Sequence, residues 1–370
     1  MMTDVTSTTS RRAALKFLGA GGGAAAAGAL LAACTGVQEG QQQQQGGGGT
    51  GRFPDTPDWR FVFVNHVTTN SFFVPTRTGM ADAAALLGIP EPQWTGSENG
   101  NVPQMAAAMK TAVDNNADGI AVALTDNNAF VQLTKDALGK GIPVVAYNAN
   151  AANNFPLAYI GQDLYLSGFQ MGQRIANDVK SGRILVGISQ PGGNNVQPRL
   201  DGIIDALKQA APGVTVQSVN TGAEQAGELN AMTAAYTGAP DAQGIYAVDA
   251  GSTEACAKLI TDRGLTGKVH GGGFDLLKGT IDGVDSGALD FTIDQSPYLQ
   301  GFLSVLYLYL FRLSGTLVFP PNTNTGLTFV TKQNIGPYKS ADSKFEGGSK
   351  SDLINMPSSI PLPPATVLTR

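Results

Sequence analysis

From Asp58 onward, short apolar runs take turns with longer segments of helical spacing, and this alternation constrains the fold more than any other feature. The spacing predicts strands at 61–65, 119–123, 143–147, 157–160, 184–188, 214–219, 244–248, 269–274 and 291–293. Between them it predicts helices at 81–87, 104–115, 130–140, 166–179, 198–210, 226–236, 253–263 and 276–286. Strands joined through helices run parallel, and a parallel sheet is covered on both faces. So many units exceed one comfortable sheet, and 370 residues with 42% hydrophobic positions suffice for two cores. The expected fold is α/β, with two doubly wound parallel-sheet lobes, a hinge and a ligand cleft between them. The alternation restarts at Gly161, crosses back after Gln295 through 296–314, and crosses once more into a last strand at 327–331. One lobe is therefore expected at 58–161 plus 296–326 and the other at 162–295 plus 327–337, with a loosely ordered Ser-, Pro- and Lys-rich tail at 338–370.

The first unit, 60–87, reads as a strand, a polar and aromatic loop, and a helix. His66, Thr68, Thr69, Asn70 and Ser71 offer hydrogen bonds there, and Phe72 and Phe73 offer flat apolar faces. These residues lie outside the carboxyl end of a strand, where ligands bind in open α/β sheets. Polar groups that reach hydroxyls beside a ring that covers C–H faces suit a sugar or another polyol, although one phenylalanine is expected beneath the helix as core. Amides, carboxylates and an arginine recur after the later strands, at Thr125 and Asp126, 148–150, 189–199, 220–222, 249–252, Asp275 and 294–297. Asp126 and Ser252 read more readily as helix caps than as ligands, and Asp249 and Asp275 read as either. Arg199 is a surface charge if taken alone; several such residues at the same edge of both lobes point to a cleft.

Other chemistries find no support. A formal charge of −5 with thinly scattered Lys and Arg provides no basic stripe for nucleic acid. The two cysteines, Cys34 and Cys256, form no zinc spacing or disulfide framework, and Cys256 reads as a small buried residue. His66 and His270 stand in no metal-ligand spacing. Residues 187–191 miss a nucleophile elbow because Pro191 replaces its last glycine, 271–273 opens no dinucleotide fingerprint, and there is no P-loop. No enzyme, cofactor or metal is expected.

The first 34 residues read as an export leader. Arg11 and Arg12 precede a Gly- and Ala-rich apolar run, which resembles a twin-arginine signal. The run ends in Leu31, Ala32, Ala33 and Cys34, which resembles a bacterial lipobox and implies that Cys34 becomes the lipid-modified first residue. The run is too short and glycine-rich to span a membrane. Residues 35–57, Gln- and Gly-rich, read as a flexible tether that holds the folded part off a membrane at the cell surface or in the periplasm.

From about Trp59 to Pro337 the chain resembles the ribose-, galactose- and inositol-type sugar-binding proteins of bacterial ABC importers, the type I periplasmic-binding-protein family. The resemblance rests on Asn70 to Phe73, Gly119-Ile120 leading to Thr125-Asp126, Gly141 to Val144 leading to Asn148, and 159–163. It continues through Arg199 with Gly202, Gly273-Phe274-Asp275 and 292–297, all in family order. It implies that Asn70 and Phe72 are polar and stacking contacts beside Phe73, with His66 a further hydrogen-bonding group. Arg199 is implied as a forked donor to ligand oxygens, in the same loop region as Asn195, and Asp275 as an acceptor for paired hydroxyls. Asn148, Asp249 and Gln295 are implied as further ligand contacts, Gln295 beside the hinge. Ala123, Ala149 and Ala223 stand where relatives carry asparagine, arginine and an aromatic ring. The implied protein is a monomer that passes a sugar or polyol to an ABC permease, or alternatively presents it to a chemoreceptor or sensor kinase. Its genomic neighbours would separate these two readings.

Overall fold

Strand β1 (Phe61–Asn65) is buried at every position, as a strand must be when its sheet carries helices on both faces. In the computed structural model, which describes residues 56–339, it leads through a 3₁₀ turn at Ser71–Phe73 into helix α1 (Val74–Leu87). Pro75 sits in the first turn, where its missing N–H breaks no helical bond, and Gly88 closes the helix with φ 69°. The helix thus starts well ahead of the apolar spacing at 81–87. There follow β2 (Gln93–Gly96), α2 (Val102–Asp114), β3 (Gly119–Val122), α3 (Val131–Gly139), β4 (Val144–Tyr147) and β5 (Tyr159–Gly161).

A second run comprises α4 (Leu164–Asp178), β6 (Ser181–Ile188), α5 (Gln197–Ala210), β7 (Gly213–Asn220) and α6 (Gln225–Gly238). It continues with β8 (Gly244–Ala247), α7 (Ala250–Asp262), β9 (His270–Gly272) and α8 (Lys278–Ser286). Ile184, Val186 and Ile188 of β6 join Ile175 and Ile203 in one core, whereas Leu185 joins Ile245, Cys256 and Ile260 in another. The period of two along the strand thus separates the sheet's two faces.

The chain then forms β10 (Thr292–Asp294), α9 (Pro297–Ser314), β11 (Asn322–Asn324), β12 (Thr328–Val330) and a short α10 (Gly336–Lys339). Two main sheets result, ordered β11-β5-β4-β3-β1-β2 and β7-β6-β8-β9, and every pair within them is parallel. β10 and β12 pair antiparallel. The α/β class read from the alternation is the class observed, with helices over two parallel sheets.

Segment 296–314, read as a crossing, carries the continuous helix α9. Its Val305 and Leu308 join the core of the first sheet. Gly79 and Gly301 let it lie directly on α1, because a Cβ at either would run into the other helix's backbone. The spacing announces neither β2 nor β11. Both are edge strands of polar and half-exposed residues, and an edge needs no continuous apolar run. No helix among the described residues is long and apolar enough to cross a membrane. The leader with Cys34, the tether through Asp55 and the tail beyond Lys339 lie outside the described residues.

Candidate functional site

The loops after the parallel strands of both sheets meet in one narrow cleft of about 60 Å³. On the first sheet, Asn65 at the end of β1 donates from Nδ2 to the Tyr147 hydroxyl (2.7 Å) and accepts from the Val67 N–H (2.8 Å), which fixes the start of the 66–73 loop. Trp94 Nε1 donates to the Thr68 carbonyl (3.1 Å) and fixes its middle. Asn70 Oδ1 accepts from Phe72 N–H (2.9 Å), so this side chain caps the turn that presents Phe72. Phe72 and Phe73 meet edge to face with centroids 4.7 Å apart, and Phe73 also packs on the His66 ring and on Trp94. Asn148 follows β4 with φ 61°, a conformation asparagine tolerates, and its Nδ2 donates to Gln300 Oε1 (3.2 Å).

On the second sheet, Asp249 follows β8 and caps α7. Its Oδ1 accepts from Ser252 N–H (3.0 Å) and its Oδ2 from Ser189 N–H (2.9 Å), which ties two loops together. Arg199, in the first turn of α5, is buried; it donates to the Val248 carbonyl (2.9 Å) and Gln162 Oε1 (3.0 Å) and lies 4.0 Å over the Phe274 ring. Burial lowers its pKa, while Asp275, Tyr159 and Asp249 act in the opposite sense. Burial also raises Asp249, despite the N–H groups bonded to it, and pushes Asp275 up to about 6 even beside Arg199 and Gln295.

The loop 189–199 reaches across the cleft to the first half. Asn195 Nδ2 lies 3.2 Å from His66 Nε2, Gln190 Nε2 donates to the Gly100 carbonyl (3.3 Å), and Asn194 N–H donates to the Thr125 carbonyl (3.0 Å). With Asn195 donating, His66 Nδ1 carries the ring proton; burial holds this imidazole neutral, its pKa lowered to about 4. Four buried polar atoms of residues in the cleft wall lack a protein partner: His66 Nδ1, Asn195 Oδ1, Arg199 Nε and Glu228 Oε2. The set mixes donors and acceptors, and a hydroxyl group, which is both, matches either kind.

His66, Asn70, Phe72, Phe73, Asn148, Asn195, Arg199, Asp249 and Gln295 all line the cleft. Asp275 does not reach its wall. It stands behind Gln295, whose Nε2 donates to its Oδ1 (2.6 Å), so it supports the wall where direct contact with hydroxyls is expected. The cap of α7 is Asp249, whereas the Ser252 hydroxyl pairs with that of Thr221 (2.7 Å). Both phenylalanines line the cleft, and Arg199 is no surface charge. Ser189, in the 189–199 loop, lines the wall, and Glu228 enters it unannounced. In the sequence Glu228 is one acid among the helix residues after β7, and only the close packing of α6 on α7 turns it inward. A wider hollow of about 540 Å³ among α6, α7 and α8 is lined by helix surfaces, with Asp262 paired to Lys258 and Asp282 to Lys278. Among the described residues one group, Asp178, His270 and Asp290, has ligand atoms close enough to hold a metal; His270 opens β9, at the edge of the sheet opposite the cleft.

Residues 61–311 match the family described as periplasmic binding protein domain. A protein named xylose/arabinose-binding protein XylF, from Sulfolobus acidocaldarius, is 45% identical over 315 residues, covering 81% of this chain and 77% of that protein. An ABC transporter solute-binding protein from Burkholderia graminis, solved in complex with D-arabinose, superposes with a TM-score of 0.71 at 23% identity, over 77% of this chain and 99% of that one. The glucose-galactose binding protein GanP from Geobacillus stearothermophilus does so with 0.69 at 24% identity, over 75% and 99%.

Proposed function

Because the chain belongs to the periplasmic binding protein family, we propose that it is an extracytoplasmic solute-binding protein that captures one monosaccharide, a pentose of the xylose or arabinose kind, for an ABC permease. The observation that carries this reading is the set of unpartnered donors and acceptors around a cleft of about 60 Å³, flanked by Phe72. The name of the 45% identical relative supports the pentose. No covalent step is required. One lobe, 58–161 with 296–326, supplies the aromatic face, His66 and Asn148; the other, 162–295 with 327–337, supplies Arg199, Asp249 and Asn195. The ligand draws both together by binding the closed arrangement better than the open one, and closure expels water. A micromolar ligand needs about −8 kcal/mol, which a few hydrogen bonds to charged groups supply at roughly 1.5–3 kcal/mol each.

Titration calorimetry of the purified protein with xylose and arabinose tests the reading, with saturable one-to-one binding expected. Absence of heat with both pentoses removes them as ligands, and absence with glucose and galactose as well removes the sugar. The same proposal includes a lipid anchor at Cys34 reached through the Arg11-Arg12 export signal. Cys34→Ala is expected to release the protein into the soluble fraction after export, and a Cys34→Ala protein that still pellets with membranes rules the anchor out.

A further inference from the structure

We propose that Glu228 is a specificity-determining residue of the cleft, its carboxyl meeting a hydroxyl of the bound sugar on the wall where Ala223 offers only a methyl, and that Gly251 is the residue that makes room for it. This rests on the sugar-binding reading above.

Glu228 lies in the first turn of α6, is 3% exposed, and lines the cleft together with Asp249 and Gly251. A buried carboxyl that serves only the fold takes a cation or a set of N–H donors. Glu228 takes neither: its Oε2 has no donor, and the titratable groups that face it are Asp249, Glu254 and the Cys256 thiol. Asp249, by contrast, accepts two backbone N–H bonds, so it is the better anchored of the pair. Two carboxyls side by side repel unless one carries a proton, and a proton on Glu228 converts the contact with Asp249 into a hydrogen bond. One oxygen of Glu228 then donates to Asp249, and the other accepts from a ligand hydroxyl.

Gly251 gives independent support. It is helical, its φ lies outside the left-handed region, and nothing in its backbone calls for glycine. Its Cα is covered by the Glu228 carboxyl, and a Cβ there would overlap Oε1, Oε2 and Cδ of Glu228. In the first turn of α7, glycine is the residue that lets the acid stand beside the cap.

The test is titration calorimetry of the parent, Glu228→Ala, Glu228→Gln and Gly251→Ala against xylose, arabinose, glucose, galactose and myo-inositol, with the melting temperature of each protein. Glu228→Ala and Gly251→Ala are expected to bind the parent's best sugar at least about tenfold more weakly, and Glu228→Gln to recover to within about threefold, since an amide also offers a donor and an acceptor. Loss of a hydroxyl contact changes the order of preference among the five sugars, whereas a merely structural role weakens all of them alike along with the melting temperature. Unchanged binding by Glu228→Ala, or a uniform loss with a lowered melting temperature, overturns the proposal. A parent that binds a hexose or inositol but neither pentose refutes only the pentose reading, and the same variants then decide Glu228 on that sugar. A parent that binds none of the five overturns both, and its own titration shows it.

Discussion

Arg199 reaches the Val248 carbonyl, Gln162 Oε1 and the Phe274 ring at once, which a planar guanidinium can do and an ammonium cannot. Arg199→Ala is expected to weaken sugar binding by roughly 2–4 kcal/mol. It should also lower folding stability by roughly 3 kcal/mol, because Asp275 then stays buried without its cation. Arg199→Lys restores the charge but not the fork, and recovers only part of either loss. Calorimetry and urea unfolding read the two effects separately, and a fully active Arg199→Lys protein would show that charge alone matters. The buried titrating groups set the pH dependence of stability. Burial, followed by the charges of Asp249 and Glu254, pushes Glu228 up to about 9 from 4.5, so the folded chain keeps a proton that the unfolded chain releases. Its contribution is complete below pH 4.5 and fades as pH rises toward 9, at up to about 1.4 kcal/mol per pH unit. His66 runs the other way: lowered by burial to about 4, it contributes above pH 6.5 and loses this as pH falls toward 4. Glu228→Gln should therefore flatten the alkaline limb of a stability profile and His66→Gln the acid limb; identical profiles for parent and variants would contradict these assignments.

Helices α4 and α5 approach so closely that side chains are excluded from the contact. A Cβ at Gly168 would strike the Arg199 backbone, one at Gly202 the Tyr165 carbonyl, and one at Gly172 the Ile203 backbone. This contact sets the height of the first turn of α5, and with it the Arg199 guanidinium over Phe274. Gly168→Ala and Gly202→Ala are each expected to cost about 1–3 kcal/mol of stability through overpacking. Gly168→Ala alone presses on Arg199 and should weaken sugar binding too. Gly238, at the end of α6, faces open space, and Gly238→Ala should leave both unchanged within about 0.5 kcal/mol. Thermal unfolding and calorimetry on the three proteins check this, and equal affinity in Gly168→Ala and Gly202→Ala would separate the helix contact from the site.

Across the whole molecule a chain of amides links the two sheets. Asn148 donates to Gln300, Gln300 to Gln295 (3.1 Å), and Gln295 to Asp275, while Gln162 Nε2 donates to the Gly326 carbonyl (3.1 Å). Polar pairing thus joins the halves beside the apolar contacts that Ala250 and Leu277 make with the first core, and such polar contacts exchange readily with water. The loop contacts of Asn194, Asn195 and Gln190 reach across the cleft. A saturating sugar is expected to reduce the radius of gyration in small-angle X-ray scattering, and Asn194→Ala to shift the unliganded protein toward the larger value. An unchanged radius with and without a bound sugar would mean that binding needs no hinge.

Local chemistry wrote much of this into the chain. Both parallel sheets, the helices between them and the edge at which ligand-facing loops gather follow from apolar periodicity and from the direction in which β-α-β units wind, since these depend on near neighbours. Asn148 is placed by the same rule, standing just past β4. Edge strands β2 and β11 are not, because a strand with one partner and a half-exposed face needs no apolar run. Nor is the retreat of Asp275 behind Gln295, or the place of Glu228 over Gly251, since both depend on groups brought together from distant segments. Burial decides whether an acid caps, supports or binds, and burial is a property of the packed molecule.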